Sequence, residues 1–283
     1  MNYVLFNPLS GNNTGEAKAQ QLHTILADSQ LVFRNILDIT SYSDFLNTLA
    51  SEDQLILCGG DGTLNYFANA TKDMEIKNTI LYYATGSGND FLHDLEKEEG
   101  VEPFPINEYL KNLPTITANG TQKLFINGIG YGIDGYCCEV ADIQKEKSNK
   151  PVNYTAIAIK GLLFHYHPTN AKITVDGKEY TYNKVWLAPT MNGRYYGGGM
   201  KVTPNQNRLN HQTVSVAVMY GSGKLKTLMV FPGIFKGEHV KHTEMVEILT
   251  GKDITVEFDR PTALQIDGET VLGVTKYQVQ AGL

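Results

Sequence analysis

The sequence predicts an α/β fold in two parts: an N-terminal doubly wound α/β domain over residues 1–120, followed by an antiparallel β-sandwich domain over residues 121–283. The 283 residues are enough for two domains that each bury a core. The first hundred residues alternate strand-like and helix-like patterns, which predicts parallel strands joined by right-handed crossovers. Farther along, short β-like segments and turn dipeptides take over, as is typical of antiparallel sheets.

Local patterns define the elements of the first domain. Residues 55–57 form a continuous apolar run, typical of a strand buried on both faces. Leu22, Ile25 and Leu26 recur at helical spacing. We predict strands at Tyr3–Phe6, Leu31–Ile39, Asp53–Cys58 and Asn78–Tyr83, and helices at Gly15–Asp28, Ser43–Leu49 and Leu64–Thr71.

Turn dipeptides mark the second domain, and one predicted helix, Val152–His165, interrupts its strands. Pro103, Pro105 and Pro114 fall near the junction and suit a linker. The clearest turn signals are Asn127-Gly128, Asp176-Gly177, Asn192-Gly193, Gly197-Gly198-Gly199 and Asp267-Gly268.

Composition and charge exclude several classes of protein. With 42% hydrophobic and 19% charged residues, the chain is globular rather than disordered. A net charge of −6 argues against a broad nucleic-acid-binding surface. Three cysteines, two of them adjacent, make neither a disulfide framework nor a zinc site. The sequence shows neither a signal peptide nor an apolar stretch of the roughly 20 residues that span a bilayer, so we predict a cytoplasmic protein.

The segment GGDGT at residues 59–63 directly follows a predicted strand and precedes a helix that we place from about Thr63. Its glycines permit a sharp turn, whose N–H groups and following helix N-terminus together favour an anion. Asp61 would repel a bare phosphate, so its expected work is to hold Mg²⁺ or to take a proton. The alternative is an ordinary strand-to-helix turn with Thr63 as the N-cap.

Two further polar loops follow predicted strands. NPLSGNN begins at Asn7, and TGSGND begins at Thr85. Each alone is compatible with an ordinary loop, but three such loops after strands of one parallel sheet predict a ligand site at its carboxyl edge. A fourth segment, Asp267-Gly268-Glu269, reads by itself as a hairpin turn and matters to the site only if the second domain brings it to the cleft.

In this order and spacing, NPLSG, GGDGTLN, TGSGNDF and LQIDGE resemble the diacylglycerol kinase catalytic family, which includes bacterial lipid kinases and is related to sphingosine kinases. YYGGGMKVTPNQ, at residues 195–206, and NGIGYGID, at residues 127–134, resemble two further stretches of that family. GGDGT alone is shared with NAD kinases, whereas GSGNDF and IDGE favour the lipid-kinase branch.

The resemblance implies an ATP- and Mg²⁺-dependent kinase that transfers the γ-phosphate to a lipid hydroxyl such as that of diacylglycerol. It implies that Glu269 is the general base, that Asp61 organises Mg²⁺, and that Asn89 and Asp90 support the cleft. ATP would lie on Asn7, Pro8, Ser10, Gly11, Thr40, Gly59, Gly60, Asp61, Gly62, Thr63, Asn65 and Ser87.

Three positions depart from the family pattern. Tyr66 stands where many members have Glu, and Asn12 where some have Lys. His211 lies near the position of an Asp that holds a structural Mg²⁺ in bacterial relatives, so that metal site is not carried over. The alternatives are an NAD kinase-like phosphotransferase and a non-catalytic protein that binds a nucleotide or a lipid.

The expected partners are a lipid substrate and, transiently, a membrane surface, with no nucleic acid. The apolar groove for the lipid would come from residues 154–164 or 225–235. In residues 224–236 lysines interleave with large apolar residues, which suits peripheral docking on an anionic membrane, although a core strand followed by a loop explains the same pattern. The sequence leaves the oligomeric state open, a homodimer included.

Overall fold

The computed structural model describes residues 1–147 and 152–282. It forms two compact units, Met1–Lys111 and a second that begins at Asn112. The predicted division after residue 120 falls inside a hairpin formed by residues 115–124, whose first strand pairs with a strand near the end of the chain.

The first unit is built on one five-stranded sheet with helices in its connections. Its strands are β1 (Asn2–Phe6), β2 (Leu31–Asn35), β3 (Gln54–Gly59), β4 (Thr79–Ala84) and β5 (Phe104–Pro105). Its helices are α1 (Ser10–Asn13), α2 (Gly15–Ala19), α3 (Leu22–Ile25), α4 (Tyr42–Asn47), α5 (Asp61–Ala70), α6 (Asp90–Asp94) and α7 (Asn107–Leu110), with a 3₁₀ turn at Ile36–Asp38.

The strand order is β2-β1-β3-β4-β5, and the first four strands are parallel. This confirms the doubly wound α/β prediction. Val4 of β1, Ile56 of β3 and Leu22 of α3 belong to one buried apolar cluster, which packs the helical connection against the sheet.

Several helix and strand boundaries differ from those expected, and three of the differences have a local cause. The single helix expected at Gly15–Asp28 is wrong: this segment holds the short helices α2 and α3, because the N–H of Gln21 donates to the carbonyl of Lys18 and tightens the chain. The strand expected at Leu31–Ile39 stops at Asn35, where the 3₁₀ turn begins. The helix α5 begins at Asp61, earlier than expected, since the carbonyl of Gly60 already accepts the N–H of Leu64.

The second unit is dominated by antiparallel strands. They are β6 (Thr115–Ala118), β7 (Thr121–Leu124), β8 (Gly128–Tyr131), β9 (Thr169–Val175), β10 (Lys178–Val185), β11 (Thr190–Met191), β12 (Tyr195–Tyr196), β13 (Met200–Lys201), β14 (Val214–Met219), β15 (Val246–Gly251), β16 (Asp253–Ile266) and β17 (Glu269–Gln280). Its helices are α8 (Ile133–Lys147), α9 (Tyr154–Lys160) and α10 (Lys224–Val230), with a π-helical turn at Gly161–His165 and 3₁₀ turns at Phe231–Lys236 and Glu238–Lys241.

Ten of these strands join in one sheet with the path β15-β14-β11-β8-β16-β17-β6-β7, to which β9 and β10 attach beside β16. The long strand β16 pairs with β9 through residues 254–258 and with β8 through residues 264–266. Its register with β17 shifts between residues 257 and 262. This stretch contains Pro261, which has no N–H to donate to the ladder, and such a shift typically bends a strand. Residues of β8, β9, β14, β16 and β17 form one buried core, in agreement with the predicted β-sandwich-like domain.

Candidate functional site

The carboxyl ends of β1, β3 and β4 carry the three polar loops singled out in the sequence. Strand β1 lies between β2 and β3, and all three are parallel. Connections from the two central strands therefore run to opposite sides of the sheet, which opens a crevice at the switch point between β1 and β3. The first and second loops, at residues 7–13 and 59–63, follow these two strands, and the third, at residues 85–91, follows β4.

Side-chain hydrogen bonds tie the first loop to the other two. Asn7 Nδ2 donates to Thr63 Oγ1 at 3.0 Å, and Ser10 Oγ lies 3.0 Å from Thr85 Oγ1. Lys18 Nζ, from α2, donates to the carbonyl of Thr85 at 3.3 Å. Hydrogen bonds thus hold the three loops together at the carboxyl edge of the sheet.

Glycines let the second and third loops touch backbone to backbone. A Cβ on Gly86 would lie 2.5 Å from Cα of Gly60, which no side chain tolerates. A Cβ on Gly62 would meet nothing within 4 Å, so the first turn of α5 faces open space. The glycine-rich segment therefore packs tightly on one side and leaves the helix N-terminus open on the other, as an anion site requires.

Asp61 joins the second loop to the third. Its Oδ2 accepts the N–H of Asp90 and its Oδ1 accepts the N–H of Phe91, both at 2.9 Å. The carboxylate therefore caps the first turn of α6, where a negative charge is favourable. The structure thus gives Asp61 a structural task that the sequence did not reveal.

Nearby residues have different surroundings. Asn89 is buried in the left-handed conformation, and its Nδ2 donates to Glu99 Oε1 at 2.7 Å, while Asp90 is buried beside it. Ser87 and Thr40 are exposed, Thr40 after the 3₁₀ turn that follows β2. Asn89 and Asp90 therefore support the loops, whereas Ser87 and Thr40 are open to contact a ligand.

The carboxylate of Asp61 is a chemically suitable ligand for a magnesium ion that is also bound by substrate phosphates. Among the described residues, no group of three or more His, Cys, Asp or Glu could hold a metal ion. Mg²⁺ is commonly held by one or two carboxylates together with substrate phosphates and waters. Each oxygen of Asp61 accepts one backbone N–H and retains a further lone pair, so this carboxylate is compatible with that role.

In the second unit, Asp267 and Gly268 form the turn between β16 and β17, both with positive φ, at 45° and 96°. The Asp267 carboxylate accepts the N–H groups of Ile126, Asn127 and Gly128 at 2.5, 2.9 and 3.0 Å. The predicted hairpin turn is confirmed, and its aspartate also holds the start of β8.

Glu269 begins β17 with its side chain 58% exposed, and its Oε1 lies 2.5 Å from Lys123 Nζ. Unlike Asp267, it is available to a ligand from solvent. Glu269 lies in the second unit and Asp61 in the first, so their convergence on one cleft stays a prediction.

Sequence reasoning missed three residues that the structure places at these loops. Lys18 bridges the first and third loops through its bond to the carbonyl of Thr85. Arg208 is buried, and its guanidinium donates to Asn127 Oδ1 at 2.9 Å and to the carbonyl of Ile126. Asn192 Nδ2 donates to the same carbonyl at 2.9 Å. The turn dipeptide Asn192-Gly193 was the only signal for the last of these, because spatial neighbours this distant in sequence leave no local pattern.

The three positions that depart from the family pattern lie in different surroundings. Tyr66 is 44% exposed on α5, and its ring packs edge-on against Tyr42 at 6.3 Å between centroids. Asn12 is exposed with a positive φ of 59°. His211 is half-buried in the loop before β14, three residues after Arg208.

Two family models match the chain in succession. The diacylglycerol kinase catalytic domain matches residues 2–119, and the YegS C-terminal NAD kinase beta sandwich-like domain matches residues 127–280. Together they account for both the first unit's loops and the second unit's hairpin.

Individual relatives are similar over nearly their whole length. "Putative lipid kinase YtlR" of Bacillus subtilis is 23% identical, over 98% of this chain and 95% of that protein. A diacylglycerol kinase of Mycobacterium tuberculosis is 24% identical, over 91% of this chain and 84% of that protein. The crystal structure of a diacylglycerol kinase from Bacillus anthracis superposes with a TM-score of 0.62 at 20% identity, covering 99% of this chain and 93% of that one, which shows a shared fold.

Proposed function

The chain belongs to the family that joins a diacylglycerol kinase catalytic domain to a YegS C-terminal NAD kinase beta sandwich-like domain, and from this premise we propose that it is an ATP-dependent lipid kinase. It transfers the γ-phosphate of ATP to a hydroxyl of a lipid such as diacylglycerol. Membership of a kinase family implies the use of a nucleotide, and the choice of ATP and of a lipid acceptor is the proposal.

One observation carries the proposal: three polar loops are cross-linked at the switch point of a parallel sheet, and the N-terminus of α5 is left open beside them. The ten-residue helix α5 places its N-terminal N–H groups and the positive end of its dipole there. A triphosphate supplies the negative charge that such a site favours.

The residues of the first unit bind and orient the nucleotide. The backbone of residues 60–63 receives the phosphates, and the Lys18 ammonium, 3.3 Å from the carbonyl of Thr85, neutralises part of their charge. Asp61 would hold Mg²⁺ through its remaining lone pairs while it keeps α6 in place. When bound, Mg²⁺ supplies further neutralisation of the phosphate charge.

The second unit provides the base. Glu269 accepts the proton of the lipid hydroxyl through its exposed carboxylate as that oxygen attacks the γ-phosphate. Lys123 pairs with the carboxylate at the start of β17 and orients it there, although so exposed a pair holds it only weakly.

A second candidate is a non-catalytic protein that binds a nucleotide or a lipid. It is favoured by the two backbone bonds of Asp61, which give this aspartate a sufficient structural reason to be present without any metal. The departure at Tyr66 agrees with it.

The two candidates separate in one experiment. The protein is incubated with ATP, Mg²⁺ and a total lipid extract, and new phosphorylated species are sought by mass spectrometry, with NAD as the acceptor in a parallel reaction. ATP binding is measured by calorimetry on the same preparation.

A new phospholipid that depends on ATP and identifies the acceptor supports the lipid kinase. ATP binding with no turnover on the extract or on NAD supports the non-catalytic candidate. Phosphorylation of NAD alone contradicts the choice of acceptor and supports the NAD kinase-like alternative.

A further inference from the structure

Three large apolar side chains of the second unit are strongly exposed to solvent. Phe164 is 68%, Leu225 73% and Met229 75% exposed. Isolated apolar side chains are ordinary on protein surfaces, but a group of them on one face marks an interaction site.

Two of these side chains share one face of a helix, and the third lies on the neighbouring turn. Leu225 and Met229 are four residues apart on α10 and therefore project from the same side of that helix. Lys224, at the start of α10, donates from Nζ to the carbonyl of Leu163 at 2.9 Å, which brings the turn that carries Phe164 beside the start of α10. We call Phe164, Leu225 and Met229 the apolar face.

The opposite side of α10 fixes this face in position. Thr227 is fully buried, and its Oγ1 bonds to Ser222 Oγ at 2.6 Å. Val230 packs in a buried cluster that also contains Leu162 and Trp186. Both segments therefore rest on one core, and the exposure of the apolar face is not the result of a poorly packed helix. The core strand considered for residues 225–235 is wrong, since this segment is helical.

The two stretches of chain that carry the apolar face contain lysines and no acidic residue. Residues 152–167 contain one lysine and no acidic residue, and residues 222–237 contain three lysines and no acidic residue. The whole chain carries a net charge of −6, so the positive charge is concentrated locally. Lys226 is paired with Glu244 at 2.8 Å, an exposed ion pair that cancels part of this positive charge.

The combination of exposed apolar side chains with neighbouring lysines favours one binding partner over another. A two-fold dimer through the apolar face would set the lysines of one copy against those of the other, which like-charge repulsion disfavours. An anionic lipid surface takes apolar side chains below its headgroups and lysines at their level, which matches both features.

We propose that Phe164, Leu225 and Met229 insert just below the headgroups of an anionic bilayer while the neighbouring lysines contact those headgroups. This deepens the proposed function, on which it rests for its biological sense, because the enzyme would extract its acceptor from that bilayer. The binding itself requires neither ATP nor turnover.

The test is sedimentation of the full chain, without nucleotide, with vesicles of phosphatidylcholine that contain either about 30% phosphatidylglycerol or none. The double variant Leu225→Ser/Met229→Ser is compared with Leu37→Ser, an exposed leucine of the first unit that is 47% accessible. We expect the wild type to bind the anionic vesicles, the double variant to lose at least about tenfold in partitioning, and Leu37→Ser to behave as wild type. Raised salt should weaken the wild-type binding.

A second measurement separates this proposal from the proposed function. Turnover is followed on a short-chain diacylglycerol dispersed as monomers, where no bilayer is needed. Loss of vesicle binding in the double variant with retained turnover on the monomeric lipid supports the apolar face as a membrane contact.

Three results would overturn it: vesicle binding unchanged in the double variant, equal binding of wild type to neutral and anionic vesicles, or a dimer of the wild type in light scattering that the double variant abolishes. The last result would assign the face to a second copy. If no lipid is phosphorylated but the double variant still loses vesicle binding, the proposed function fails and the membrane contact stands.

Discussion

Each unit uses an aspartate to hold a distant segment of its chain, whereas the nearby glutamate of the second unit stays exposed to solvent. Asp61 in the first unit and Asp267 in the second each accept backbone N–H groups from a segment distant in sequence. Glu269, two residues after Asp267, is more than half exposed and forms an ion pair with the ammonium of Lys123. An acidic residue in a glycine-rich turn can therefore act as a clamp, which holds a distant segment through backbone hydrogen bonds, as a catalytic group, or as both. Its hydrogen-bond partners distinguish these roles.

The largest expected effect tests Glu269 as the general base. Glu269→Gln should lower turnover on the lipid by about 10²–10⁴-fold, because the amide cannot accept the proton of the hydroxyl. Glu257→Gln is the matched control, since Glu257 is half-exposed on the same hairpin and lies 3.7 Å from Lys276. Steady-state kinetics and melting curves of both variants are the measurement. Equal turnover in the two variants would remove Glu269 from the catalytic role.

The next effect tests Asp267 as a clamp. Asp267→Ala leaves three backbone N–H groups without their charged acceptor, so the free energy of unfolding of the second unit should fall by about 3 kcal/mol. Denaturant titration followed by fluorescence of Trp186, the single tryptophan, which is buried in this unit, measures it.

The control for Asp267 is Asp176→Ala, at another turn of the same unit. Asp176 is exposed and accepts two backbone N–H groups, from Lys252 and Asp253. Its removal should cost less, about 1 kcal/mol, because water replaces the lost acceptor. A larger loss of stability for Asp176→Ala than for Asp267→Ala would show that burial does not set the strength of these clamps.

A pair of glycines tests the packing of the nucleotide loops. Gly86→Ala forces a methyl group against the backbone of Gly60 and should lower the free energy of unfolding by about 2 kcal/mol. Gly62→Ala points into open space on α5, so it should keep or slightly raise stability while it weakens ATP binding, because the methyl group occupies the position proposed for a phosphate. Calorimetry with ATP and thermal melts distinguish the two. Full ATP affinity in Gly62→Ala would move the phosphates elsewhere.

The smallest expected effect depends on pH and concerns Asp134 at the start of α8. Burial raises the pKa of its carboxyl to about 6, although hydrogen bonds from Gln265 and Tyr196 act in the opposite direction. Between about pH 4 and 6 the folded state therefore binds more protons than the unfolded state, so Asp134 makes stability fall as pH rises through this window.

Asp134→Asn should remove this dependence. Relative to the wild type, it should gain free energy of unfolding on the order of 2 kcal/mol between about pH 4 and pH 7, read from Trp186 fluorescence. Asp142→Asn on the same helix, whose side chain is 45% exposed, controls for the loss of one negative charge. A wild-type-to-variant difference that is the same at both pH values would sink the prediction.

The reach of local sequence differs from one element to the next. The helix α5 begins at Asp61 rather than near Thr63 because the carbonyl of Gly60 closes the first turn, a detail that propensity does not specify. The apolar run before Pro232 was considered as a core strand, but the segment is helical, with Val230 and Thr227 packed on the core.

The sequence by itself determined the two-part architecture, because a parallel α/β sheet and an antiparallel sheet leave different periodicities, and it located the polar loops, because glycine and asparagine after a buried strand mark a strand end. Only the tertiary structure decided what each of those loop residues touches. The partners of Asp61 lie 29 and 30 residues away and those of Asp267 lie 139 to 141 away, and contacts over such separations are set by how the elements pack rather than by any local pattern.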